Sequence, residues 1–100
     1  MRISYEEDLR GRAVIDGHGH VVGMVDGLLI DNQSWRVEAF RVRLKREAAA
    51  QVGAEHRLLQ AATLEIPISL IHADGDAVIL NVPTTALRDL LPAEAAGVTH

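Results

Sequence analysis

Two histidines in a glycine-rich stretch have the types and spacing that most resemble a chemical site in this 100-residue chain. His18 and His20 lie two positions apart in the run DGHGHVVGMVDGLLID, residues 16–31. Alternate residues of a strand face the same side, so both imidazoles could bind one zinc ion, with His72 or Asp74 as further ligands. A zinc site needs at least three converging ligands, whereas the same segment has the composition of a hairpin turn. We favour the turn, with both imidazoles in solvent and no bound metal.

Other chemistries receive less support from the residue pattern. Glycine-rich phosphate loops are followed by the N-terminus of a helix, whereas GHGHVVG is followed by strand-forming residues. Asp74 and Asp76 flank a glycine as turn residues do, and the acidic trio Glu6 to Asp8 lies near a chain end that we expect to be mobile. No serine lies in a nucleophile motif. We therefore expect no catalytic residues, no cofactor and no enzyme activity.

Basic residues are concentrated in one segment, although the whole chain has ten basic and fourteen acidic residues and a net charge of -4. Five of the ten fall within eleven positions: Arg36, Arg41, Arg43, Lys45 and Arg46. Arg41 and Arg43 share one face of a predicted strand and could bind acidic protein, RNA or phosphate. A solvated face paired with Glu38 and Glu47 is the plainer interpretation. Because aromatic residues for base stacking make up only 3 % of the chain, protein is favoured over RNA as the partner.

Length and composition predict one small globular domain with an aliphatic core. Apolar residues make up 48 % of the chain, and cysteine is absent, which fits a reducing compartment. The N-terminal MRISYEEDLRG lacks the apolar stretch of a signal peptide, and no apolar run approaches the roughly 20 residues of a membrane span. We therefore expect a cytoplasmic protein without a membrane span.

The hydrophobic pattern predicts five strands, at residues 12–15, 21–30, 35–44, 63–66 and 77–82. Gly23 and Gly27 fall on one face of the second strand, where missing side chains would let the strand coil or another backbone approach closely. In the third strand Val37 is out of phase with the inner residues. A β-bulge near Glu38 and Ala39 would explain that mismatch.

Two short helices are predicted near residues 45–52 and 84–91, the first ending at Gly53. Thr84 or Thr85 would cap the second, which Pro92 would end. This helix carries three leucines on one side: Leu87, Leu90 and Leu91. A two-turn helix is unstable alone, so these leucines must dock on their own domain or on a neighbouring chain.

Unpartnered apolar surface on that helix and on the second strand predicts self-association, as a two-fold dimer or a higher oligomer. The three leucines and the five basic residues are the candidates for partner contacts. Residues 1–91 are expected to form a single domain, followed by a loose tail at 92–100.

Three blocks of sequence, taken together and in order, resemble the PRC-barrel family. They are LRGRAVIDGHGHVVGMVDGLLID, WRVEAFRV and LEIPISLIHADGDAVIL, which span roughly residues 9–82. The matching residues are Gly11, Val14, Asp16, Gly19, Gly23, Val25, Ile30, Asp31, Ile66, Pro67, Ile71, Asp76 and Val78. The Ala-rich segment 45–57 and the helical C-terminal extension depart from the simplest family pattern.

The resemblance implies a mostly β fold. We expect a small, partly open antiparallel β-barrel of about five to six strands, with a short helix near 45–52 and a short C-terminal helix near 84–91. It also implies a stand-alone, non-catalytic module for protein interaction or scaffolding. Because the family includes a ribosome-maturation factor, an RNA- or ribosome-associated factor that uses the basic stripe Arg36 to Arg46 is the alternative.

Overall fold

The computed structural model describes residues 2–53 and 62–91, which form six strands and four short helical segments. The strands are β1 Ala13–Ile15, β2 Val21–Asp31, β3 Arg36–Leu44, β4 Thr63–Pro67, β5 Ile71–Asp74 and β6 Ala77–Leu80. The helical segments are a π-helical turn Tyr5–Leu9, the α-helix α1 Arg46–Gln51, a 3-10 turn Ile68–Leu70 and a C-terminal 3-10 helix Thr84–Leu90. The five predicted strands and two predicted short helices are therefore all present. The expected tail, residues 92–100, lies outside the described residues.

The strands form one sheet in the order β4-β3-β2-β1-β6-β5, which does not close into a barrel among the described residues. This confirms the partly open, mostly β fold. One pairing differs from the expected antiparallel arrangement, because β1 and β6 run parallel. A parallel pair needs a long crossover connection, and the four strands between β1 and β6 in the chain supply it.

Two elements were missed by the sequence analysis. Residues 67–71 were expected to be an irregular connection, but β5 begins at Ile71 and pairs with β6. The acidic N-terminal trio was expected at a mobile end, but it lies in the π-helical turn, where the Ser4 N–H donates to the Asp8 carboxylate at 2.7 Å. Tyr5 and Leu9 of this turn pack against the core. Both elements are too short to show a hydrophobic period, so tertiary packing decides them.

The backbones of β2 and β3 approach each other closely at Gly23. A Cβ atom at Gly23 would lie 2.0 Å from the carbonyl oxygen of Arg43, so no larger residue fits without a backbone shift. The register of β2 shifts once against β1, where Val22 has no partner, and twice against β3. Because of the shift at Val22, Val22 and Val25 are both buried although they are three positions apart. The predicted close approach at this glycine is confirmed.

A register shift in β3 confirms the predicted bulge. Leu29 pairs with Ala39 and Ile30 pairs with Val37, so Glu38 has no partner in β2. Past the bulge, Val37 faces the inner side of the sheet together with Ile30. The side chain of Val37 is nevertheless exposed, because the core ends before this row.

The core lies between the inner face of the sheet and two helical segments. α1 buries Ala48 and Ala49, and Gly53 ends it with a φ of 83°, in the left-handed region that glycine adopts most easily. The fully buried large side chains are Val14, Val22, Val25, Val42, Val52, Ile66, Leu80 and Leu87. Within the described ranges no helix is long and apolar enough to cross a membrane.

The C-terminal segment differs from the expected capped helix. It is a 3-10 helix, and neither of the two candidate threonines caps it, because its N-cap residue is Pro83. Leu87 is completely buried in the chain's own core, and Leu90 and Leu91 pack against that core. The structure thus corrects the assignment of Leu87 as a partner contact, since a side chain without accessible surface cannot touch another molecule. Leu90 and Leu91 are only partly buried, so contacts of these two leucines with a partner stay a prediction.

Candidate functional site

Asp16 is the buried centre of the turn between β1 and β2. Its carboxylate is only 2 % exposed and accepts four hydrogen bonds. Oδ1 accepts from the backbone N–H groups of His18 and His20, both at 2.9 Å. Oδ2 accepts from the backbone N–H of Thr84 at 3.0 Å and from its hydroxyl at 2.6 Å. One carboxylate therefore shapes the hairpin turn and ties the C-terminal 3-10 helix to it.

The protonation of Asp16 follows from these contacts. Burial alone would raise its pKa, but the hydrogen bonds from the Thr84 hydroxyl and from the N–H groups of His20, His18 and Thr84 outweigh it. The pKa of Asp16 therefore lies well below the usual range, and the group stays ionised. A carboxylate held in this state serves folding, since all its strong acceptor positions are occupied.

The two histidines of the turn point into solvent, as the turn interpretation expects. The side chains of His18 and His20 are exposed and their ring centroids are 6.4 Å apart in an edge-to-face arrangement. His72 pairs with Ile79 of β6, which pairs in turn with Ile15 of β1, so two strand spacings, about 10 Å, separate it from the start of the turn. The side chain of the other suggested ligand, Asp74, lies outside the described part of the chain. Among the described residues no group of three metal-binding side chains exists.

The five basic residues do not form one patch. Arg36 begins β3 and Lys45 follows its end, so roughly 30 Å of extended chain separate them. Arg41 and Arg43 do share the outer face of β3, as predicted. Their carboxylate partner differs from the expected Glu38 and Glu47: Asp26 Oδ2 lies 3.7 Å from Arg41 Nε and 3.5 Å from Arg43 Nη2.

Asp26 was missed because its position depends on the bulge in β2. The register passes from Val25 to Gly27, so Asp26 has no partner in β3 and its side chain reaches both arginines. The Arg41 guanidinium also donates to the Asp26 carbonyl at 3.0 Å and lies over Gly27, where a Cβ would come within 2.7 Å of Nη2. The missing side chain of Gly27 therefore leaves room for the side chain of Arg41, whereas the sequence analysis also considered the approach of another backbone. One carboxylate facing two guanidiniums leaves this surface with positive charge.

An apolar groove opens on the outer face beside Gly23. It encloses about 290 Å³. Its lining residues are Gly11, Ala13, Val21, Gly23, Met24, Arg43, Leu44 and Lys45. Val21 and Met24 are both about half exposed, and Gly23 lies between them along the groove. We call this feature the Gly23 groove; it combines apolar walls with two cations.

A second exposed apolar surface lies at the end of the β2–β3 hairpin. We call it the hairpin-tip patch, formed by Ile30, Trp35, Val37 and Ile68, all of which are exposed. Trp35 was expected to begin the third strand. It instead completes the turn, with a φ of 61° and an N–H that donates to the Asp31 carbonyl at 2.7 Å. The side chain of Trp35 is 75 % exposed.

These features define a mostly β domain, an open six-stranded mixed sheet in which the buried polar residues Asp16 and Thr84 bond to each other. Comparison with known proteins agrees with this class: the family model of the PRC-barrel domain matches residues 1–87. The chain therefore belongs to the PRC-barrel domain family. No curated protein matches it significantly.

Proposed function

We propose that the chain is a non-catalytic protein-interaction module that binds a partner protein at the Gly23 groove and also associates with itself. The observation that carries the proposal is the exposed apolar groove lined by Arg43 and Lys45. Membership of the PRC-barrel family supports an interaction role, because domains of this family mediate protein contacts. The expected cytoplasmic location remains a prediction.

The chemistry of the groove favours a partner segment that carries an apolar side chain next to carboxylates. The groove of about 290 Å³ is open to solvent and its walls are mostly apolar, so it can receive an apolar side chain. Arg43 shares Asp26 with Arg41, and Lys45 forms no ion pair within residues 2–53 and 62–91. Positive charge therefore remains to pair with an acidic partner.

The state of the buried polar residues supports the non-catalytic part of the proposal. Asp16 and Thr84 are the only buried polar side chains in the described part of the chain, and they bond to each other. A catalytic acid or base needs access to its substrate and a pKa near the working pH. Asp16 has neither, since it is buried and held ionised.

The test begins with affinity capture from the native cytoplasmic fraction and continues with the purified partner. Binding is measured by titration calorimetry with the parent protein, Met24→Glu, and the control Val37→Glu, which places the same charge on the hairpin-tip patch. We expect Met24→Glu to weaken binding at least tenfold, about 1.4 kcal/mol, and the control to bind like the parent. Equal affinity of all three proteins would contradict docking at the groove.

RNA binding is the alternative outcome of the same capture. An RNA partner would show affinity that falls steeply with salt, and the double variant Arg41→Glu, Arg43→Glu would abolish it. Such a result would overturn the protein-partner proposal. We expect the opposite, since Asp26 already lies between these two arginines and offsets part of their charge.

A further inference from the structure

The hairpin-tip patch continues the inner face of the sheet beyond the core. Leu28, Phe40 and Ile66 are aligned across β2, β3 and β4 and pack in the core. The next row outward pairs Ile30 with Val37, and Ile68 begins the 3-10 turn that follows the end of β4. Neither α1 nor the C-terminal 3-10 helix covers these side chains, which are all exposed. The patch is therefore a row of core-type residues without a covering element among the described residues.

The apolar area of the patch agrees with what a dimer needs. Its four side chains are 49 %, 75 %, 36 % and 42 % exposed, which at about 200 Å² per large side chain corresponds to about 400 Å² of accessible apolar surface. A standard interface buries about 800 Å² on each partner, of which about 56 to 65 % is non-polar. The patch thus supplies most of the apolar area that one protomer would contribute.

Self-complementarity favours a second copy as the occupant of the patch. In a two-fold dimer the same surface meets itself, and each contact occurs twice with the roles exchanged. Ile30 and Val37 are both exposed apolar residues, so two copies of the row bury apolar side chains against apolar side chains. The charged neighbours of Val37 in β3, Arg36 and Glu38, leave the strand on the other side of the sheet.

We propose that the hairpin-tip patch is the interface through which two copies of this chain form a two-fold dimer around an apolar centre. The inference rests on the proposed function in one respect, which is self-association. It is independent of the Gly23 groove, which lies on the outer face of the sheet. The dimer would cover the row that the fold itself leaves exposed.

Light scattering during gel filtration, on samples diluted from about 100 µM, tests the interface. The parent protein should be dimeric, and Val37→Glu should weaken the dimer at least tenfold. Met24→Glu is the matched control, since it places the same charge on the outer face, and it should remain dimeric. Circular dichroism verifies that each variant is folded, which is expected because all substituted side chains are exposed.

Two results would overturn the interface itself, and they are distinguishable from failure of the partner proposal. A parent protein that is monomeric at every concentration excludes self-association, while partner binding at the Gly23 groove is measured independently. A folded Val37→Glu variant that stays fully dimeric places the interface elsewhere on the molecule.

Discussion

Asp16 illustrates at the residue scale how a polar side chain in a glycine-rich turn can look catalytic and act structurally. Its position in the turn was predicted from the Asp-Gly pair. Its bonds to Thr84 were not predictable, because the two residues are 68 positions apart and nothing local marks the contact. The same holds for Asp26, whose two arginine neighbours depend on a bulge that no local pattern specifies. Sequence therefore identified the turn, and the fold determined its partners.

Replacing Asp16 by Asn should destabilise the fold by about 2 to 4 kcal/mol at pH 7, because hydrogen bonds to a charged group are stronger than neutral ones and the amide NH₂ would face N–H donors. Urea denaturation measures the change in the free energy of unfolding. Asp76→Asn is the control: that carboxylate pairs with Arg12 on the surface, and its loss should change little. An equally small effect of both substitutions would contradict the structural role of Asp16.

The pH dependence of stability should report the same carboxylate. Because the pKa of Asp16 is lower in the folded state than its ordinary value of 3.8, its contribution is fully present above pH 3.8 and is lost as the pH falls below it. The difference in unfolding free energy between the parent and Asp16→Asn should therefore narrow below about pH 4. The pKa of Asp31 is also lowered, by hydrogen bonds from Gln33 and Ser34. Because Asp31 is present in both proteins, its contribution cancels in the difference between their unfolding free energies. A difference that stays constant down to pH 2 would contradict this assignment.

At the scale of secondary-structure elements, the sequence predicted the strands and helices that have a clear hydrophobic period or composition. It missed the elements whose conformation is set by tertiary packing. Five of the six strands and α1 were placed within two residues, and the bulge at Glu38 was anticipated from the phase of Val37. The C-terminal segment was predicted as a helix with an apolar side, which is correct. The surface on which this helix packs could not be predicted. The apolar periodicity shows that one face of the helix must be buried, but it does not show which part of the molecule buries it.

Leu87→Ala tests the position of the C-terminal 3-10 helix. Since Leu87 is completely buried in its own core, the substitution should lower the free energy of unfolding by about 2 to 5 kcal/mol. Leu90→Ala, at a partly buried position in the same helix, should cost less. Neither change should alter the oligomeric state of folded protein as measured by light scattering. If the Leu87→Ala variant kept the stability of the parent but became monomeric, Leu87 would lie in a partner interface and this assignment would be wrong.

For the whole molecule, the open sheet explains why a small barrel exposes apolar side chains. A chain of 100 residues buries a limited share of its surface. Its helical segments cover the inner face of the sheet near Val14, Val42 and Ile66. The family could be recognised from three sequence blocks, because turn residues and apolar spacing are local. The uncovered row at Ile30 and Val37 could not be recognised from the sequence, because its exposure depends on where the packed core ends.

If that row is covered by a second copy, thermal stability should depend on protein concentration, because binding of the native state raises its stability by mass action. Association at about 100 times the dissociation constant adds about 2.7 kcal/mol, and each kcal/mol raises the Tm of a domain this size by about 4 to 8 °C. We therefore expect the Tm of the parent protein, followed by circular dichroism, to rise by several degrees between about 1 and 100 µM for a micromolar dimer. Val37→Glu should show a smaller rise of Tm between the two concentrations, whereas Met24→Glu should keep the dependence of the parent. A parent Tm that does not change with concentration would show that the exposed row contributes nothing to stability by pairing with another copy.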